Sequence, residues 1–312
     1  MITFSRLLTT NFAFVSSFRL QSSSTFPLHR APSRFASAMP ADRSRGSTDA
    51  MRVAGDDSVS PASERRRPEG LIELRSDKTR AELVRTGEID WIATSQAGGV
   101  SRKMIERLGT EKVARATTIV RFAPNQSFPR HSHDGGEEFL VLDGVWRDDY
   151  GSFGKYSYIR NYIGSGHTPT IGEEGCVILV KLRQMSHLSK GEPEHRNWVG
   201  LTPDRVCDEG RTMDEEGVVK KLSLFSSPLE STSVQVWPKE SSLVIKVPKH
   251  GAELFVVDGS FTSQLLGDHD ERSWCRIPND GEEVRDFHVR TLGEDVYVWV
   301  KEGHLASDEI GM

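Results

Sequence analysis

From residue 70 onward the chain consists of short apolar runs, rich in β-branched and aromatic residues and cut by Gly, Pro, Asn and Asp. That pattern predicts strands. Thr117-Thr118-Ile119-Val120-Arg121-Phe122, Tyr156-Ser157-Tyr158-Ile159-Arg160 and Cys176–Leu182 are the clearest in the first part, with Leu71–Leu74 and Ile89–Ile92 as shorter ones. In Glu137-Glu138-Phe139-Leu140-Val141-Leu142-Asp143-Gly144, a two-residue period puts Glu137, Phe139 and Val141 on one face and Glu138, Leu140 and Leu142 on the other. Asp148-Asp149-Tyr150-Gly151 reads as a hairpin turn. Thr79–Thr86 predicts a short turn of helix, and Ser101–Leu108 fits either a strand or a short helix. Residues 186–215 hold Gly191, Pro193, Pro203 and Gly210 and read as linker or loop, with His187 and His195 facing solvent.

Strands resume at Leu222–Phe225, Thr232–Trp237 and Ser242–Val247. Ala252-Glu253-Leu254-Phe255-Val256-Val257-Asp258-Gly259 then copies Glu137–Gly144 at an offset of 115 residues, and Val296–Lys301 echoes Cys176–Lys181. Repetition on this scale implies two units of one kind in tandem.

The chemistry gathers between His131 and His167. His131 and His133 are two apart, so an extended backbone aims both imidazoles to one side. Glu137 keeps that parity if the strand runs on, although Gly135-Gly136 also permits a turn or bulge. A carboxylate facing a buried interior needs a cation or a proton, and two imidazoles beside it favour the cation. His167 follows Gly164-Ser165-Gly166, small residues that let the backbone approach something bulky. Three imidazoles and one carboxylate suit zinc, iron, manganese, nickel or copper better than calcium or magnesium, which prefer oxygen shells. His131, His133, Glu137 and His167 are therefore the expected ligands of one divalent ion. Iron and zinc come first, with manganese, nickel and copper as alternatives.

These strings resemble the two motifs of the cupins. Glu137 to Gly144 matches the spacing of the first, and Gly164-Ser165-Gly166-His167 matches the end of the second. More narrowly, Gly136–Gly144, Arg160–Pro169 and Glu174–Met185 are similar to ChrR-like cupins, a likeness that covers about residues 70–190. The resemblance implies that the two motif-one histidines, the motif-one glutamate and the motif-two histidine bind the metal, which selects the same four residues. It also favours strand for Ser101–Leu108. Tyr162 stands where the family usually has proline, a change expected in a loop and not in the ligand set. The implied fold is all-β, two tandem cupin barrels of the double-stranded β-helix or jelly-roll type after a disordered N-terminal segment. The expected divisions are a targeting segment and linker at 1–69, a metal-bearing ChrR-like cupin domain at 70–190, a linker at 191–215 and a degenerate cupin domain at 216–312.

The second copy lacks the ligands. At the same offset, His131, His133 and Glu137 become Lys246, Pro248 and Ala252, and a slip of one residue gives Ile245 and Val247. The stretch expected to hold the last histidine reads Pro278-Asn279-Asp280-Gly281-Glu282-Glu283, and His250, His269, His288 and His304 do not recover the spacing. Lys246, if it pointed inward, would need a partner such as Glu253; otherwise it would face solvent.

Composition narrows the setting. The three cysteines, Cys176, Cys207 and Cys275, form no CxxC and no disulfide framework, as expected for a reducing compartment. The net charge of −5 gives no footprint for nucleic acid. No apolar run approaches the ~20 residues of a membrane helix. Residues 1–69 nevertheless carry ten Lys/Arg against six Asp/Glu, and the first acid is Asp42. An acid-poor start rich in Arg and Ser predicts organelle targeting, mitochondrial before plastid. Without a transit peptide the expected location is the cytoplasm.

Fold alone does not fix function. The resemblance reaches acetylacetone-cleaving dioxygenases, which implies a metal-dependent oxidoreductase acting on a small diketone-like or phenolic ligand. Phe128, Phe139, Val141 and Tyr158 or Tyr162 are the expected walls. ChrR-like barrels also occur in anti-sigma factors, so the alternative is a non-enzymatic metal-dependent sensor or small-molecule binding module. Cupins commonly dimerise, which adds a homodimer to the expectations.

Overall fold

The strand pattern closes into two jelly-roll barrels, each a large sheet facing a small one. The computed structural model describes residues 70–94, 98–111, 113–185, 196–212, 218–281 and 283–305. These lie within one unit, Glu64–Met312. The targeting reading of 1–69, His187 and His195 fall outside the described residues. Among the described residues no helix is long and apolar enough to cross a membrane.

In chain order the first part contains β1 (Ile72–Leu74), β2 (Glu82–Arg85), β3 (Ile92–Ala93), β4 (Val100–Gly109), β5 (Ala114–Phe122), β6 (His131–Ser132), β7 (Glu137–Asp148), β8 (Gly151–Gly154), β9 (Tyr158–Asn161), β10 (Gly166–His167) and β11 (Thr170–Leu182). Then follow β12 (Arg196–Trp198), α1 (Pro203–Glu209), β13 (Arg211–Thr212), β14 (Lys220–Ser226), β15 (Ser231–Trp237), β16 (Ser242–Val247), β17 (Ala252–Asp258), β18 (Phe261–Ser263), β19 (Gly267–His269), β20 (Ser273–Ile277), β21 (Arg285–Thr291) and β22 (Val296–Glu302). The first barrel pairs the sheet β1-β4-β5-β11-β7-β9-β12 with the ribbon β10-β6. The second pairs β13-β14-β15-β22-β17-β20-β2 with β16-β21-β18-β19.

Two strands cross between the barrels. β2 pairs with β20 of the second barrel, setting Val84 opposite Trp274. β12 pairs with β9 of the first, setting Trp198 opposite Tyr158. The helix expected over Thr79–Thr86 is therefore a strand followed by a 3-10 turn at Thr86–Glu88. Pairing along the β20 edge decides the conformation of so short a segment. Ser101–Leu108 is strand, whereas Ile89–Ile92 is extended only at its end. The loop reading of 186–215 missed β12, α1 and β13. Helix α1 had a legible start, since Thr202 caps it by accepting from the Arg205 amide and Pro203 occupies the first turn.

The alternation along β7 sorts the core. Phe139 and Val141 point into the first barrel with Trp146, Phe153, Ile159 and Ile178. Leu140 and Leu142 point the other way, into a cluster shared between the barrels with Ile119, Tyr158, Leu179, Phe255, Val257, Trp274, Tyr297 and Trp299. Tyr158 thus faces the second barrel and is not a wall of the first barrel's interior. The second barrel has its own core around Trp237, Leu254, Val256, Phe261 and Val298.

Ionic groups are buried in the shared face. Lys181 pairs with Glu253, and Lys301 with Glu138. Arg160 lies 3.3 Å from Glu138 and 2.6 Å from Glu230, and Tyr158 donates to Glu138 at 2.6 Å. Burial pushes the Glu138 carboxyl up, but Lys301 and Arg160 outweigh it and hold the group well below the usual carboxylate range. Lys246 takes the solvent option, meeting Asp286 at 2.8 Å on the surface.

Candidate metal centre

Strand pairing brings the histidines together. Across the two-stranded ribbon, His131 lies opposite His167, and Ser132 opposite Gly166. Directly opposed residues share a face. A Cβ on Gly166 would sit 2.9 Å from the His131 carbonyl oxygen, so glycine is what lets the strands close here. His133 then turns out of the strand: its amide donates to Ser165 O at 2.9 Å, and its carbonyl accepts from the Gly164 and Gly136 amides. Gly136 adopts φ +74°, and any Cβ there would strike the Met185 sulfur. The Gly135-Gly136 turn therefore carries the chain from His133 into β7, delivering Glu137 to the same interior.

The imidazoles of His131, His133 and His167 each offer a nitrogen, and these ligand atoms all lie within 4.8 Å of one another. Ring centroids are 4.8 to 5.0 Å apart. Glu137 stands beside this cluster, its Oε2 3.3 Å from His133 Nε2 and 3.8 Å from His167 Nε2. The structure thus groups the three histidines and sets the glutamate closest to two of them. His133, His167 and Glu137 are largely buried, whereas His131 is exposed, so the cluster opens on the His131 side.

The far ring nitrogens have anchors. His131 Nδ1 lies 3.0 Å from Pro129 O, and His167 Nδ1 lies 3.0 Å from Asp148 Oδ2. A carbonyl or an ionised carboxylate can only accept, so each Nδ1 carries a hydrogen, and of the two neutral tautomers these contacts select the one that leaves Nε2 free as a donor atom. His133 Nε2 and His167 Nε2 face each other at 3.0 Å. Burial lowers the His133 pKa despite the attraction of Glu137, which favours the neutral ring that a metal requires. Asn161 donates to Glu137 Oε2 at 2.8 Å and fixes that carboxylate. Burial pushes Asp148 up, but hydrogen bonds from His167, Trp146 and the Tyr150 amide hold it below its ordinary value. Imidazoles and a carboxylate converging on one point are the donor set of a divalent transition metal, and these three histidines can hold such an ion.

Sequence reasoning missed Asp148 and Asn161. Asp148 showed only as a turn residue, and Asn161 carried no signal. Of the expected walls, Phe139 and Val141 line the first barrel's core, and Phe128 packs against it.

Strand registers also locate the corresponding positions in the second barrel. Ile245 faces Phe287 there as His131 faces His167, and Ala252 opens β17 as Glu137 opens β7. The four equivalents are Ile245, Val247, Ala252 and Phe287, the last three buried in the apolar core and Ile245 packed against it. The last of them lies in β21, not in Pro278–Glu283, because the intervening loops differ in length.

Two barrels of this topology, one with a histidine cluster at its small sheet, define a cupin-fold protein. Within the chain, residues 79–186 match the family model of the ChrR Cupin-like domain. No curated protein matches the sequence. Among solved structures the chain is similar to a provisionally named dioxygenase from Nostoc punctiforme, at 12% identity and TM-score 0.53, covering 77% of this chain and 90% of that one. It is also similar to protein GK1651 from Geobacillus kaustophilus, at 13% identity and TM-score 0.51, covering 73% and 96%. Protein YlbA from E. coli is similar at 10% identity and TM-score 0.51, covering 73% and 93%. At these identities the likeness establishes the fold alone.

Proposed function

We propose that this protein is a metal-dependent cupin whose first barrel holds one divalent ion on His131, His133 and His167, with Glu137 as the fourth ligand. The observation that carries this is the convergence of three imidazole nitrogens within 4.8 Å at the one face where a carboxylate also points inward. The reaction class we favour is dioxygenase-type oxidation of a small diketone-like or phenolic compound. Bound iron would supply the redox chemistry with dioxygen. The chain's own residues would hold the ion, fix the ring orientations through Pro129 and Asp148, and exclude water with Phe139, Val141 and Trp146. The open side at His131 gives a small ligand its approach.

The test is to purify the protein, measure its metal content, and follow oxygen uptake with a panel of diketones and phenolics after iron loading. Iron-dependent uptake with one class supports the dioxygenase reading. Stoichiometric zinc without turnover would replace it with a metal-dependent binding module. Absence of stoichiometric metal under all loading conditions would reject both.

A further inference from the structure

The anchors of the two ribbon histidines differ in kind. His131 leans on a backbone carbonyl, whereas His167 leans on a buried carboxylate. Asp148 Oδ2 lies 3.0 Å from His167 Nδ1, with the two side chains 0% and 1% exposed. An ionised carboxylate accepts and cannot donate, so it selects the tautomer with hydrogen on Nδ1. Nε2 is then the free donor atom, and it is Nε2 that faces His133 Nε2 and Glu137 Oε2.

Asp148 is itself held in place. The Trp146 indole donates to Oδ2 at 3.0 Å and the Tyr150 amide donates to Oδ1 at 2.9 Å. The tight β7–β8 hairpin pairs Asp148 with Gly151. Trp146 is buried against Phe139, with ring centroids 4.9 Å apart, so neither donor is free to swing away.

The second barrel supplies an internal comparison. Phe261 pairs with Thr291 as Trp146 pairs with Ile171. Two residues further on, Ser263 occupies the place of Asp148, and Phe287 that of His167. The frame is retained, while the imidazole and its carboxylate are both replaced. Packing or hairpin geometry alone would not require the two to change together.

We infer that Asp148 is a positioning residue of the centre: it locks His167 as the Nδ1–H tautomer, turns Nε2 toward the ion and raises its basicity as a ligand. The purpose of this lock rests on the metal reading above; its geometry does not.

The test uses the full chain, first freed of metal, with isotope-labelled histidine and long-range proton–nitrogen spectra that distinguish the two tautomers. Wild-type His167 should show hydrogen on Nδ1. Asp148→Ala should move it toward the Nε2–H form, and Zn(II) affinity, read by competition with a chromophoric chelator, should fall by about 10- to 100-fold. Asp148→Asn, of nearly the same shape, serves as a second variant should alanine compromise the fold. Its single acceptor oxygen cannot serve all three donors, and its affinity should also fall. Trp146→Phe, which removes a donor but keeps the carboxylate, should leave the tautomer unchanged. An unaltered His167 tautomer in both Asp148 variants, or unaltered affinity in both, overturns the inference. If the wild type takes up no metal, a tautomer switch between wild type and the Asp148 variants still supports the lock and sinks only the metal reading.

Discussion

Lys181 on the first barrel closes a buried ion pair on Glu253 of the second, and the repeat makes this pair one of two. Lys301 stands in β22 where Lys181 stands in β11, and Glu253 stands in β17 where Glu138 stands in β7. Lys301 pairs with Glu138 in return. The two barrels therefore face each other across a pseudo-twofold axis, with each repeat giving the lysine that the other's glutamate needs. The hydroxyls beside the pairs follow the same relation: Lys181 lies opposite Thr117 and Lys301 opposite Thr232. Around them the apolar contributions also correspond, Leu140 to Phe255 and Leu179 to Trp299.

Removing one partner of such a pair leaves a charge stranded in the interior. Lys181→Met should cost about 3–5 kcal/mol, because Glu253 then loses its direct ion-pair partner and keeps only the weaker attraction of Lys78 and His304, the latter 3.3 Å away and neutral in the fold because burial outweighs the glutamate's attraction. Lys181→Met combined with Glu253→Met should recover most of that loss, since two apolar side chains of similar volume need no counter-charge. Urea unfolding of the two variants and of Glu253→Met measures the coupling. Equal midpoints for Lys181→Met and wild type would show that the pair does not join the barrels energetically.

This interface marks where the sequence could be read and where it could not. The repeat, the strand alternation and the parity of Glu137 against Glu138 follow from a two-residue period, which is local. The ribbon geometry that groups His131, His133 and His167 was legible because histidine spacing and glycines both belong to short stretches. Asp148 was not, since it acts across a hairpin on a residue 19 positions away. Nor was the exchange of β2 and β12, because an edge strand is chosen by the sheet that accepts it and not by its own few residues. Phe287 was missed as the counterpart of His167 for a related reason: a change in loop length shifts the register, and only the pairing of β16 with β21 reveals it.

The histidines and the glutamate should not contribute equally to metal retention. Substituting His131, His133 or His167 by Ala should each reduce bound metal well below stoichiometry, because each supplies one converging nitrogen. Glu137→Gln should weaken binding less, since the amide keeps an oxygen donor and the three imidazoles remain. Metal analysis after dialysis, with melting curves to show that the barrels stay folded, separates the variants. A His133→Ala protein that retained a full equivalent of metal would remove that residue from the ligand set.

The second barrel's counterpart positions should behave as core. Phe287 is 2% exposed and packs with Val247, Phe261 and Val289. Phe287→Ala should cost about 3–5 kcal/mol through lost burial and the cavity left behind. Metal content should stay at the wild-type level, because the first barrel's ribbon is untouched. Denaturation and metal analysis on the same preparation check both halves of the statement; a fall in metal content with stability unchanged would contradict it.

His269 gives the fold a defined response to acid. It is 1% exposed, stacked on Phe261 at 4.1 Å, with its Nε2 3.1 Å from Ser263 Oγ. Burial, with repulsion from Arg85, lowers its pKa from 6.5 to about 4. A folded-state value below the unfolded one means that the unfolded chain takes up a proton first as pH falls. The contribution is therefore absent as a penalty above about pH 6.5 and grows as pH drops toward 4, where the folded protein also begins to protonate. At ~1.4 kcal/mol per pH unit the limit is on the order of 3 kcal/mol of lost stability. His269→Phe places at this position the residue that its first-barrel counterpart, Phe153, already uses opposite Trp146. That variant should lose less stability than wild type between pH 7 and pH 4.5, while His304, also lowered to about 4 by burial, continues to titrate in both. Urea midpoints across this range give the difference directly, and parallel profiles for the two proteins would show that His269 protonates in the folded state at its ordinary value.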